Sequence, residues 1–503
     1  MKHSLNCSFL LLVAVAAVLT VAPVNAQTVN SSLQIKRGQD DTVYRAKHRI
    51  LGLADPAAGV SVNGTPVKVH KTGTWGIELK LSEGNNTVKV VSGSDHVEFD
   101  LFYSTRTPVK PVDPDKEQAA LEAATFYPSF LRVKTLKYAY LNYGAGTDRL
   151  GGAKINYLPE GVELFVDAEN ANLYRVRLSQ NRHAYIPKSL VEPVGRYLPE
   201  AEFMLQQVVL SSSASVYNAG GCDRVSIAVG GKKPYVVKEY VDPHKIVVDL
   251  YGVQCNSNWL THKTGLKSVD HIDVESIDTD VTRFTVYLKT RSSWGFSMDY
   301  RGDNLVLDIR HVPASLQLKD LTIGIDAGHG GPNSNGAVGL SGLLEKDMNL
   351  AMAYELKKIL EKEGANVVLT REGDEGMSIR ERQDKMIQAR ADLVISIHCN
   401  AGGNPLTTGG TSTYYRYDPY HPLAAAILDE LLTIKGVQNF GLVGNFNFSL
   451  SAITDFPCVL VETLFISNLW DEEQLADAQF RKKMMEEVAD GLEVYLKRCR
   501  SQK

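Results

Sequence analysis

From about Leu321 onward, apolar runs of five or six residues alternate with longer stretches whose apolar residues recur at helical spacing. Residues 321–326, 366–370, 392–398, 411–415 and 458–462 read as strands. Between them, 347–363, 378–390 and 422–432 read as helices. In the first helix Met352, Leu356, Ile359 and Leu360 share a face, with Asp347 placed to cap its start and Gly364 its end. A last helix begins near Asp471, with Gln474 as capping-box partner and Phe480, Met484, Val488 and Leu492 four residues apart. Such alternation implies an open, mostly parallel α/β sheet, in which functional groups gather outside the carboxyl ends of the strands.

That rule selects a small set of residues. Asp326-Ala327-Gly328-His329-Gly330-Gly331 follows one strand, Ser396-Ile397-His398-Cys399-Asn400 ends another, and Val459-Leu460-Val461-Glu462 ends a third. Glu345 stands just before the first long helix. A catalytic zinc ion takes three protein ligands and keeps one position for water, and His329, Glu345 and His398 form a suitable set. The glycines around His329 allow a tight turn and leave room for substrate. A separate carboxylate must then move the proton of the attacking water, and Glu462 is the candidate. Singly, each residue has a bland reading as a satisfied strand-end histidine or a solvated glutamate. Glu462 resists it, because a carboxylate inside Cys458-Val459-Leu460-Val461 and Thr463-Leu464-Phe465-Ile466 is costly to bury without a partner. His183, His262 and His421 lack such company and read as surface or core residues.

Residues 321–498 resemble the catalytic domain of the zinc-dependent N-acetylmuramoyl-L-alanine amidases of the amidase-3 family. The stretches that match, in order, are 325–331, 345–350, Val368-Leu369-Thr370-Arg371, 395–400, and Pro457 to Glu462 followed by Ile466-Ser467-Asn468. The resemblance implies that His329, Glu345 and His398 hold Zn2+, that Glu462 is the catalytic glutamate, and that the substrate is the amide joining the lactyl group of N-acetylmuramic acid to L-alanine in peptidoglycan. The chain departs from the family at Cys399 and Cys458, where small residues are usual, and at Met386-Ile387, where Ala-Asn is favoured. Strand parity places Cys399 away from the face of His398, and Cys458 on the face of Glu462, which argues against a cysteine ligand and a Cys399–Cys458 disulfide. Some family members carry an insertion after the second zinc histidine whose helix plugs the site. Only residues 400–410 separate the two strands here, so the site is expected to be open without an activator.

The rest of the 503 residues is too long for one core and reads as β-rich modules. Residues 1–26 read as a signal peptide: Lys2, an apolar run from Phe9 to Val21, and Val24-Asn25-Ala26 as cleavage site. Export to the periplasm without a membrane anchor is expected after its removal. Residues 27–103, with Val60-Ser61-Val62-Asn63-Gly64 as a hairpin signal, resemble an immunoglobulin-like β-sandwich. Residues 104–124, with Pro108, Pro111 and Pro114, read as a linker. Residues 125–195 resemble an SH3-like barrel, with 143–152 as a turn-rich run, and 200–312 loosely resemble the β-sandwich amidase N-terminal domain. The first role to consider for these modules is contact with the wall, or with an activator or division protein; the other is that of spacer. A net charge of −4 excludes nucleic acid as the main partner. Cys222 and Cys255 are candidates for a bridge, the alternative being free thiols. Two rivals to the amidase reading are a non-catalytic wall-binding scaffold and a zinc peptidase that cuts within the stem peptide.

Overall fold

The structure is a computed structural model that describes residues 33–106, 125–148, 151–195, 209–211 and 213–502. Residues 1–26, read as a signal peptide, and most of the stretch 104–124 read as a linker lie outside the described residues. Among the described residues before Leu318, regular structure is β-strand apart from one 3-10 turn at Lys188–Leu190.

The first segment forms a three-stranded and a five-stranded sheet that share one apolar core, in which Ile50, Val62, Trp75, Val90 and Leu101 are inaccessible to solvent. Asn63 and Gly64 both have positive φ, 47° and 77°, the geometry a two-residue hairpin turn needs between Val60–Val62 and Thr65–Val67. The next segment is a seven-stranded antiparallel sheet, followed by a five-stranded and a four-stranded sheet. A single buried apolar cluster runs through both segments, from Leu131 to Ile309. Of the stretch read as turn-rich, 143–148 and 151–152 are strand and 149–150 lie outside the described residues: Ala139–Asp148 pairs antiparallel with Gly151–Leu158, with register shifts between Tyr140 and Asn142 and between Asn142 and Thr147. Glycine lowers strand propensity, yet cross-strand pairing outweighs it and the irregularity is absorbed as bulges. Asp249 and Asp308 sit opposite Arg283 and Arg224 in the ladders, each joined by two hydrogen bonds. Cys222 and Cys255 carry free thiols.

The C-terminal segment is a six-stranded sheet of β1 (Thr322–Ala327), β2 (Asn366–Leu369), β3 (Leu393–Asn400), β4 (Thr411–Tyr414), β5 (Asn439–Val443) and β6 (Cys458–Phe465), in the order β2-β1-β3-β6-β4-β5. The β6–β4 pair is antiparallel and the other neighbours are parallel. Five helices accompany it: α1 (Glu345–Lys362), α2 (Ile379–Gln388), α3 (His421–Leu431), α4 (Leu469–Ala476) and α5 (Ala478–Ser501). On one face Ile323, Ile325, Ile395, Ile397, Val459 and Val461 pack with Met352, Leu356, Leu492 and Leu496 of α1 and α5. On the other, Val394 and Cys458 pack with Met386 of α2 and with Leu450, Ile453 and Phe456. Cys399 belongs to the first core and Cys458 to the second, so their thiols lie on opposite faces and both are free.

Three local readings are corrected. Helix α1 starts at Glu345, two residues before Asp347; Leu344 is the N-cap residue and gives no side-chain cap. The last helix is two helices. Asn468 caps α4 by accepting from the amides of Trp470 and Asp471, and Asp477, with extended backbone, breaks the run and caps α5. Strand β5 is absent from the sequence reading, because Asn439 and Gly441 interrupt its apolar residues and it pairs at the sheet edge.

The first segment rests on this sheet's outer loops. His70 Nδ1 lies 2.8 Å from Glu473 Oε2 of α4, and the amide of Lys71 donates to the other oxygen at 3.2 Å. Gly76 packs against Leu406 and Leu469, and a Cβ there would come within 3.1 Å of both side chains.

Candidate metal centre

The sheet brings three of the four residues singled out in the sequence into one cluster. Ligand atoms of His329, Glu345 and His398 all lie within 4.8 Å of one another. Glu345 Oε1 is 3.1 Å from His329 Nε2 and 3.0 Å from His398 Nδ1, and the two imidazoles stand edge to face at 5.0 Å. The amide of Cys399 also donates to Glu345 Oε1, at 3.2 Å, and that of Ala337 to Oε2, at 2.7 Å. Glu345 is therefore fixed as an anion: burial opposes its charge, but hydrogen bonds from both imidazoles hold its pKa below the usual carboxylate range. Burial likewise works against a charged His398, yet the hydrogen bond to Glu345 and the charge of Glu462 raise its pKa.

Glu462 is Cα partner to His398 across the β3–β6 ladder. It lies inside β6, which continues to Phe465, so the reading of a glutamate at the strand end is corrected; the residue is partly exposed while its Oε2 is buried. Its side chain shares the sheet face of His398, opposite the Val459 and Val461 side chains that pack into the α1–α5 core.

The backbone around His329 is held by two arginines: Arg371, which ends a matched stretch but was given no role in the sequence reading, and Arg382, which that reading passed over. His329 has φ 61°, a left-handed conformation uncommon outside glycine, so the loop needs external support. Arg371 donates to the carbonyls of Ala327 at 2.9 Å and Gly328 at 3.0 Å. Arg382 donates to Ala327 O and His329 O, and pairs at 2.7 Å with Asp326, which Thr370 and Ser396 also contact. Arg382 and Met386 are one helical turn apart and both are buried. An arginine on the apolar face of a helix was the signal available in the sequence.

The donor set suits a borderline-soft divalent ion. His398 Nε2 is buried and has no hydrogen-bond partner among the described residues. Space around the cluster depends on missing side chains: a Cβ on Gly328 would lie 2.3 Å from the His398 ring, and one on Gly336 would lie 2.5 Å from Glu345 Oε2. Replacing Gly328 by Ala is expected to displace His398 and lower metal affinity at least tenfold, checked by competition with a chromogenic chelator.

The rim loop at 401–410 is tied to α4 through a buried carboxylate. Asp471 Oδ2 accepts from the amides of Gly410 at 2.7 Å and Phe465 at 2.8 Å. Burial pushes its pKa from 3.8 up to about 6, against the pull of those amides, and buried Asp455 moves the same way, also to about 6. A raised native pKa means the folded state binds more protons than the unfolded state between those values. The contribution of each group therefore favours folding below pH 3.8 and is lost as pH rises through about 6. Asp471→Asn is expected to remove about 2–3 kcal/mol of this pH dependence, seen as a flatter plot of urea midpoint between pH 4 and 6.

Comparison with known proteins identifies the C-terminal segment. Residues 323–494 match the model of the Amidase_3 family, N-acetylmuramoyl-L-alanine amidase. YqiI of Bacillus subtilis, itself uncharacterized, is 35% identical over 186 residues, which are 36% of this chain and 88% of YqiI. The chain belongs to the Amidase_3 family. The amidase LytC of Bacillus subtilis is 37% identical over 187 residues, and LytH of Staphylococcus epidermidis, a probable cell wall amidase, is 34% identical over 183. The chain spans 37% of LytC and 60% of LytH. Among solved structures, the amidase AmiC2 of Nostoc punctiforme is 34% identical, with 35% of this chain and 97% of that one covered and a TM-score of 0.34. The Amidase_3 match takes in His329, Glu345, His398 and Glu462, together with the Arg371 and Arg382 clamp.

Proposed function

We propose that the protein is a zinc-dependent N-acetylmuramoyl-L-alanine amidase that cuts the lactyl–L-alanine amide of peptidoglycan during wall remodelling or daughter-cell separation. The observation that carries this reading is the convergence of His329, Glu345 and His398 with Glu462 in register beside them, in a chain of the Amidase_3 family. His329, Glu345 and His398 would hold Zn2+. When bound, the ion supplies Lewis acidity that polarises the scissile carbonyl and makes water a nucleophile near neutral pH. Glu462 accepts the proton of the attacking water and returns it to the alanine nitrogen as the C–N bond breaks, leaving a lactyl carboxylate and a free peptide amine. Arg371 and Arg382 keep His329 in place through the reaction. Water and substrate approach from the side of His329, whose side chain is 30% exposed, against 5% for Glu345 and 10% for His398.

The same reading places the enzyme in the periplasm, facing the wall. Among the described residues, no helix is long and apolar enough to cross a membrane. It takes 27–103 as an immunoglobulin-like module, 125–195 as an SH3-like barrel and 200–312 as an amidase-N-terminal-like sandwich, all serving contact with peptidoglycan or a protein partner. It also takes the site as open without an activator. No helix lies in 401–410, and the loop there is a turn.

Mass spectrometry of wall sacculi digested by the purified chain tests the proposal. Free glycan with intact stem peptide is expected. Shortened peptide would mean a peptidase, no product a scaffold, and product only after a partner is added would refute the open site. Chelation should reduce turnover to background, with recovery on adding one equivalent of zinc.

A further inference from the structure

Between β5 and β6 the chain runs as a loop, 444–457, whose only regular element is the short 3-10 turn Leu450–Ala452. Phe448 of this loop stands edge-on to the His398 ring, with centroids 5.6 Å apart. Phe446 and Tyr414 extend the row, at 6.2 Å from Phe448 and 4.6 Å from Phe446 respectively. Phe446 and Phe448 are each partly exposed, and Phe448 packs against the α2-side core, so this aromatic row walls the cluster on the α2 face of the sheet.

The wall is fastened from far away in the sequence. Asn447, 8% exposed, donates to the carbonyl of Gly152 at 2.6 Å and accepts from the amide of Lys154 at 3.3 Å. Arg416, 7% exposed, donates to Lys154 O while its other amino group donates to the carbonyl of Asn445 at 3.1 Å. Gly152 and Lys154 belong to the hairpin of Ala139–Asp148 and Gly151–Leu158 in the second β segment. The ammonium of Lys154 lies over the Tyr140 ring at 4.9 Å within the hairpin. The residue next to Phe448 is thus bonded to backbone 295 positions earlier.

We infer that the 139–158 hairpin is a working part of the catalytic site: through the positioning residues Asn447 and Arg416 it holds Phe448 beside His398 as a wall that orients the scissile amide. This rests on the amidase reading. Phe448 offers an apolar edge where the lactyl and alanyl methyl groups flank the amide. Losing the latch lets the wall drift, and displacements near 1 Å are enough to affect rate.

A double-mutant cycle on the full chain tests this, using a purified disaccharide–peptide as substrate. Wild type must cleave it; inactivity refutes the amidase reading itself. Asn447→Ala and Phe448→Ala are each expected to lower kcat/KM about tenfold with zinc content unchanged, and the double variant is expected to fall no further than the worse single one. Arg416→Lys, which keeps a donor for Lys154 O, should retain more activity than Arg416→Gln. An Asn447→Ala enzyme equal to wild type overturns the inference, as do fold-losses that multiply in the double variant, since independent effects would mean the latch does not act through Phe448. If Asn447→Ala does not fold, the same cycle with Arg416→Gln in its place decides the matter by the same criteria.

Discussion

Glu462→Gln is expected to lower kcat on isolated muropeptides by about 10²–10⁴-fold while zinc stays bound at the wild-type ratio. Glutamine keeps the shape of the side chain but cannot accept a proton from water. Retention of the ion follows from the geometry, since the cluster of His329, Glu345 and His398 is complete without Glu462. The two glutamates should therefore separate in one experiment. Glu345→Gln removes an anion held by both imidazoles, so zinc content and activity should fall together. Zinc measured by mass spectrometry of the purified variants, beside turnover, provides the check. Loss of zinc in Glu462→Gln would make Glu462 a ligand and leave the reaction without its proposed base.

The parts of this site that could be read from sequence are those whose chemistry is local. His329 in a glycine run after a strand, His398 at the end of an apolar strand, and Glu462 inside one each carry a sign that survives without coordinates. What holds them was less legible. Arg382 acts on His329 from 53 residues away, through a carbonyl that any residue would supply. Only the burial of an arginine on the Met386 face of α2 marks it. The hairpin at 139–158 is harder still, because it meets Asn447 through backbone groups of Gly152 and Lys154, which leave no trace in side-chain pattern. The same holds for the fold. Strand–helix alternation after Leu321 reflects long apolar periods and is robust to single residues. The break between α4 and α5 depends on one Asp477 leaving helical geometry, and periodicity across 471–492 hides it. Asn468 before Leu469 was a local cap signal that the longer pattern overrode.

Arg382→Met offers the largest effect on stability, and it separates a charge role from a clamp role. Arg382 and Asp326 side chains are 3% and 1% exposed and pair at 2.7 Å, in the core of the α2 face. Removing the arginine leaves a buried carboxylate whose remaining hydrogen-bond partners among the described residues are the hydroxyls of Thr370 and Ser396, and breaking such a pair costs about 3–5 kcal/mol. The urea midpoint of the C-terminal segment, followed by hydrogen exchange at β1 and β3, should fall accordingly. Adding Asp326→Asn removes the stranded charge, so the double variant should regain much of that stability. It should not regain activity, because Arg382 also donates to the carbonyls of Ala327 and His329, and His329 needs that support at φ 61°. A double variant that recovers stability yet binds zinc weakly would assign Arg382 to holding the metal loop. Recovery of both would reduce it to a counter-ion for Asp326 and leave Arg371 as the clamp.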